Sequence, residues 1–175
     1  KVLSEQDSFI LSHLLTGMFD PVFNDYSPAT GISIRAKQTR PYAAKSGTTN
    51  TDQYLIGFSP QLTAGVWNGY DQGKQVSDAE ARQVTKQVWI EFMEAVHQGL
   101  PVEPFIAPDG VQGVIVDIET GGIATSACEK QRLVYMKQKD VPTKLCTDPK
   151  LKQQTFEENV EESEPWSIFP FNLFE

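Results

Sequence analysis

Five consecutive residues, Lys45-Ser46-Gly47-Thr48-Thr49, concentrate the chemistry visible in this 175-residue chain. A cation, two hydroxyls two positions apart and a glycine between them suit the capture of an anion beside a reacting carbonyl. In an extended strand Ser46 and Thr48 project to one face, where both hydroxyls can donate to a carboxylate. Gly47 leaves room for close approach, and a backbone N–H on the strand edge can form half of an oxyanion hole. A phosphate-binding loop is the rival reading, but its pattern places glycines ahead of the lysine. Here Tyr42, Ala43 and Ala44 precede Lys45, so that reading fails.

The elements that must position this cluster follow from periodicity. Ser4 can cap a helix over residues 4–19, with Asp7 three positions on. Ile10, Leu11, Leu14, Leu15 and Met18 recur at helical spacing before Pro21 stops it. Residues 20–40 read as loop and short extended pieces, and 40–49 as a strand entered from that loop. Two β-rich runs, 53–58 and 63–70, flank a polar connector containing Pro60 and predict a hairpin. Gly57, Gly65 and Gly69 within those runs suggest bulges or close backbone approach.

The longest helix is predicted over 77–99. Ser77 and Glu80 form a capping-box pattern, and Gly99 and Pro101 end it. Its apolar stripe is Ala81, Val84, Val88, Phe92 and Val96, widened by Trp89 and Met93, which are expected to pack on the sheet. Beyond it, 114–118 alternates as a strand, 119–122 turns, and 123–126 is the expected return. Residues 127–150 look polar and irregular. The end carries Glu157, Glu158, Glu161, Glu162 and Glu164, then Trp166, Phe169, Phe171 and Phe174. The acidic run suits a solvated segment, and the aromatics suggest docking onto a surface. Helices covering an antiparallel sheet give an α+β architecture, with a small β appendage after it. The expected division is 1–111 for the main part and 112–175 for the hairpin and acidic extension.

Composition narrows the function classes. With 39% hydrophobic and 22% charged residues the chain is that of a globular protein able to bury a core. A formal net charge of -8 argues against nucleic acid, which is held by clustered Lys and Arg. No apolar run approaches the roughly 18 residues needed to cross a bilayer, and the start carries no signal peptide. His13 and His97 lie far apart, and Cys128 and Cys146 are not in a CxxC arrangement, so no metal site and no cofactor are expected. Lys1 in place of Met suggests a processing or cleavage boundary.

The context of the lysine cluster supplies a resemblance. The run Ala43-Ala44-Lys45-Ser46-Gly47-Thr48-Thr49-Asn50-Thr51-Asp52-Gln53-Tyr54-Leu55-Ile56-Gly57-Phe58-Ser59-Pro60 resembles the class A penicillin-binding proteins. The third motif of the penicillin-recognising serine acyltransferases is a K-[ST]-G strand. The likeness continues through Leu62-Thr63-Ala64-Gly65-Val66-Trp67-Asn68-Gly69-Tyr70-Asp71. It also takes in the helix over 77–99 and the Pro108-Asp109-Gly110-Val111 exit, covering residues 4–120. Ala44 stands where the family often has glycine, and Ser46 where threonine is commoner.

The resemblance implies the C-terminal part of a D,D-transpeptidase domain that cross-links peptidoglycan stem peptides and is acylated by β-lactams. It implies catalytic roles for Lys45, in the electrostatic network, and for Thr48, whose N–H contributes to the oxyanion hole. It implies substrate contacts from Ser46, Gly47, Thr48 and Thr49, with the Ser46 and Thr48 hydroxyls on the carboxylate. It further implies an upstream glycosyltransferase domain, a membrane anchor outside these residues, and a position on the extracytoplasmic face. In that compartment Cys128 and Cys146 could form a disulfide or stay free, since two cysteines alone decide nothing.

The family's nucleophile belongs to an S-x-x-K motif. Neither Ser4-Glu5-Gln6-Asp7, Ser12-His13-Leu14-Leu15 nor Ser33-Ile34-Arg35-Ala36 fits it, and no Ser-x-Asn triplet precedes Lys45. The serine–lysine machinery is therefore incomplete here, and the chain alone is expected to be inactive. The favoured explanation is a piece of a split or cleaved enzyme, whose partner is the upstream segment carrying the serine. A substrate-strand half on its own and a catalytically dead module are the others. A non-catalytic peptide-carboxylate binding module and a related serine β-lactamase or carboxypeptidase are the alternative functions.

Overall fold

The computed structural model describes residues 2–22, 27–72, 74–76 and 79–148. Two compact units divide the chain, Lys1–Gly110 and Val111–Glu175.

The first unit opens with α1 (Glu5–Thr16), which starts where its cap allows. Ser4 is extended, and its Oγ accepts the Asp7 N–H at 3.0 Å. Glu5 and Asp7 place negative charge in the first turn, where the helix dipole favours it. The helix tightens into a 3-10 turn over Gly17–Phe19, and a second one covers Ile32–Lys37. Strands β1 (Ala43–Thr48), β2 (Asp52–Phe58) and β3 (Thr63–Gly69) form an antiparallel sheet in the order β1-β2-β3. Helix α2 (Ala79–Val96) packs across it. The expected α+β architecture is the one found. The Ser77 cap lies outside the described residues.

Trp89 is the centre of the core. It is fully buried with Ile90 and Met93, stacks on Phe19 at 6.1 Å between ring centroids, and meets the edge of Tyr42 at 5.3 Å. Its indole N–H donates to the Ala64 carbonyl at 3.1 Å. Gly57 makes this possible. A Cβ there would collide with the Trp89 ring and lie 2.7 Å from the Ala44 Cβ, so α2 sits against bare backbone at that point.

The buried face of α2 differs from the expected stripe. Val84, Val88, Phe92 and Val96 are 48%, 48%, 50% and 37% exposed, whereas Thr85, Trp89, Ile90 and Met93 are buried. The large indole, seated over Gly57, sets the rotation of the helix and turns the valine row outward. His97 extends the buried row. Its Nδ1 lies 2.6 Å from the Met93 carbonyl and so donates to it, leaving Nε2 to accept from Ser59 Oγ at 2.8 Å. Ser59 Oγ in turn accepts the Gln61 and Leu62 N–H groups, which closes the β2–β3 turn. Arg40 satisfies carbonyls just past α2, donating to those of His97, Leu100 and Pro101.

The second unit is built on β4 (Val111–Asp117) and β5 (Gln131–Lys137), paired antiparallel from Val111↔Lys137 to Asp117↔Gln131. The return strand is thus 131–137 and not 123–126. Ile123 makes only isolated bridges, to Val116 and Leu145. The chain turns tightly after β4 because Asp117 Oδ2 accepts both the N–H and the hydroxyl of Thr120, and Gly121 takes a positive φ of 67°. A disulfide joins Cys128 to Cys146. The acidic run and the aromatic end, residues 157–174, lie outside the described residues.

Candidate functional site

Strand β1 presents the lysine cluster in the geometry that alternation demands. Ser46 and Thr48 line a cleft of about 620 Å3 between the sheet, α2 and the Pro28–Ser33 stretch. Lys45 and Gly47 are not among its lining residues. Lys45 lies opposite Ile56 and Gly47 opposite Tyr54, on the other face of the pleat. The Lys45 ammonium donates to the Ser46 carbonyl at 2.6 Å and is exposed. Thr49 borders a smaller adjoining cleft of about 250 Å3, with Asn50, Gln75 and Val76.

The hydroxyls in the cleft already have neighbours. Ser46 Oγ is 3.3 Å from Thr30 Oγ1, and Thr48 Oγ1 donates to Gln53 Oε1 at 3.0 Å. Gln53 is buried, and its Nε2 reaches the Val76 carbonyl at 3.5 Å, while the Val76 N–H donates to Asn50 O at 2.8 Å. One amide side chain thereby ties the end of β1 to the segment leading into α2.

The ladder also fixes where the Thr48 N–H points. Thr49 N–H donates to Asp52 O at 2.9 Å, which makes 49 and 52 a hydrogen-bonded pair. Antiparallel ladders alternate, so residues 47, 45 and 43 turn their N–H groups to β2, and 48 and 46 turn theirs away from it. Since β1 is the outer strand of the sheet, the Thr48 N–H faces its free edge.

The turn after β1 is pinned by its own side chains. Thr49 Oγ1 accepts the Thr51 and Asp52 N–H groups, and Asp52 Oδ2 accepts both threonine hydroxyls. Asp52 Oδ1 accepts the Trp67 indole N–H at 2.9 Å. These hydrogen bonds, led by Thr51 and then Trp67, hold the Asp52 carboxyl below its ordinary range.

Gln53, Arg82 and Lys86 are cleft residues to which the sequence alone assigned no role. Register could have found Gln53, which sits directly across from Thr48. The four-residue spacing of Arg82 and Lys86 puts both on one face of α2. Burial lowers the Lys86 ammonium from its ordinary value, and the neighbouring charge of Arg82 adds to the effect. The serine–histidine contact of Ser59 with His97 is buried on both sides. It serves the fold.

Comparison with known proteins decides the family. Residues 107–150 match the family described as "Penicillin-binding protein 1A, C-terminal domain". Penicillin-binding protein 2D of Bacillus subtilis is 39% identical over 155 residues, covering 89% of this chain and 22% of that protein. Penicillin-binding protein 1A of Rickettsia prowazekii is 32% identical over 124 residues, covering 69% of this chain and 15% of the relative. The chain belongs to the penicillin-binding proteins.

It corresponds to a C-terminal part of a class A penicillin-binding protein and spans about a fifth of the length of the Bacillus subtilis relative. Its fold is that of the crystal structure of penicillin-binding protein 1A from Haemophilus influenzae. The TM-score is 0.68, with 82% of this chain and 22% of that one covered at 20% identity. Strand β1 carries the Lys45-Ser46-Gly47 triplet that the resemblance reads as K-[ST]-G.

Proposed function

We propose that this region supplies the substrate strand of a D,D-transpeptidase that cross-links peptidoglycan stem peptides by serine acyl transfer. The serine comes from polypeptide outside these 175 residues. In that reaction the serine oxygen attacks the peptide carbonyl and the terminal residue leaves as its amine. A second stem peptide's amine then displaces the serine. β1 holds the donor peptide during the first step. Ser46 and Thr48 hydrogen-bond its carboxylate, Gly47 gives room, and the Thr48 N–H donates to the oxyanion. Lys45 adds positive potential at the strand, and Thr49 shapes its end.

The observation that supports this reading most is the division of labour on Thr48. Its hydroxyl lines the cleft, while its N–H faces the free edge of the sheet. The Cys128–Cys146 disulfide accords with an extracytoplasmic location. The whole enzyme would reach that location through an anchor elsewhere in its sequence.

Substitution in the full-length enzyme tests the proposal. Thr48→Val and Ser46→Ala should each slow acylation by a penicillin by about tenfold to a hundredfold, the loss expected for a hydrogen bond to a charged group. Acylation at the unchanged rate in both variants would contradict it. Reversible penicillin binding with no acyl-enzyme formed by the complete protein would favour the carboxylate-binding module instead.

A further inference from the structure

We propose that Arg82 and Lys86 of α2 are the charge partners of the donor peptide's terminal carboxylate, acting from the wall opposite Ser46 and Thr48. The proposal rests on the reading of β1 as the substrate strand and adds the element that neutralises the bound anion. In a chain of net charge -8, no Asp or Glu among the described residues lines either cleft, yet Arg82 lines both and Lys86 the larger one. Neither has an ion-pair partner among the described residues. Lys37, by contrast, reaches α2 and pairs with Glu91 at 2.7 Å. Two cations four residues apart on one helix face repel each other. Burial lowers the Lys86 ammonium, and this repulsion adds to the effect.

A carboxylate between the walls relieves that repulsion and completes the geometry. Arg82 offers a planar fork suited to two carboxylate oxygens, and Lys86 a mobile point charge. Ser46 and Thr48 supply neutral donors from the sheet side. A volume of about 620 Å3 falls in the range of small-ligand pockets. Lys45 lies on the other face of β1, with its amine on the Ser46 carbonyl, and is not placed to do this.

The test uses the isotope-labelled 175-residue chain, titrated with N-acetyl-D-alanyl-D-alanine as the free acid and as its C-terminal amide. Backbone amide shifts of Ser46, Thr48, Arg82 and Lys86 are followed by NMR. The free acid should move all four and bind about tenfold more tightly than the amide. Arg82→Gln and Lys86→Gln should each weaken the free acid about three- to tenfold and narrow its advantage over the amide, with the spectrum still dispersed. Arg82→Lys should recover part of the loss. Equal binding of acid and amide would overturn the proposal. So would equal binding of the acid to the parent and Gln variants, with Ser46 and Thr48 still shifting and the acid still preferred to the amide; in that case the substrate-strand reading would stand. If neither peptide moves Ser46 or Thr48 in a well-dispersed spectrum, both readings fall together.

Discussion

Glu94 gathers the root of β1 onto α2. It accepts the Thr39 N–H and hydroxyl and, at 2.9 Å, the Tyr42 hydroxyl. Burial pushes the Tyr42 phenol well above its ordinary range, and the hydrogen bond and charge of Glu94 push it further, against a smaller opposite pull from Arg40. The folded state therefore favours the protonated phenol more than the unfolded state does. That stabilisation is complete below the ordinary value of 10.0 and is lost as pH rises above it. Below about pH 9, Tyr42→Phe should cost about 1–2 kcal/mol. Above pH 10 the melting temperature of the parent should fall toward that of the variant. A gap independent of pH would contradict the assignment. At this scale the sequence was informative where a motif fixes composition, as at Lys45-Ser46-Gly47-Thr48. It was not informative at Arg82 and Lys86, since two cations on an amphipathic helix look like solvated surface until the fold places them at a cleft.

The fit of α2 to the sheet depends on the absence of one side chain. At Gly57 a methyl group would meet the Trp89 ring and the Ala44 methyl, and both are buried with no room to retreat. Gly57→Ala should destabilise the first unit by about 1–3 kcal/mol, the usual cost of overpacking, read by urea denaturation. A change below about 0.5 kcal/mol, the scale of a neutral surface substitution, would mean that Trp89 is not seated there. The same contact explains where periodicity misled. Val84, Val88, Phe92 and Val96 form as regular a stripe as Thr85, Trp89, Met93 and His97. A 3.6-residue repeat alone does not say which row faces the sheet, and the indole over Gly57 decides it. Strand β5 was hidden for a different reason. Leu133 is half exposed and the strand is bounded by Gln131 and Lys137, so a two-stranded hairpin leaves no clean apolar alternation. The β2–β3 hairpin was legible because a polar connector containing Pro60 separates two runs of β-forming residues.

On the scale of the molecule, the first unit carries the site and the second is a hairpin closed by a disulfide. The relatives it matches are several times longer, the chain covering 22% and 15% of the length of the two named above. The architecture was legible from the order of elements. The central claim is that β1 works for a nucleophile carried elsewhere. Intact-mass spectrometry after incubation with a penicillin tests it most directly, on the 175-residue chain alone and together with the upstream polypeptide. The account predicts no adduct on the chain alone and a stoichiometric adduct on the upstream polypeptide when both are present. A stoichiometric adduct on the isolated chain would contradict it and make Ser46 the first residue to examine.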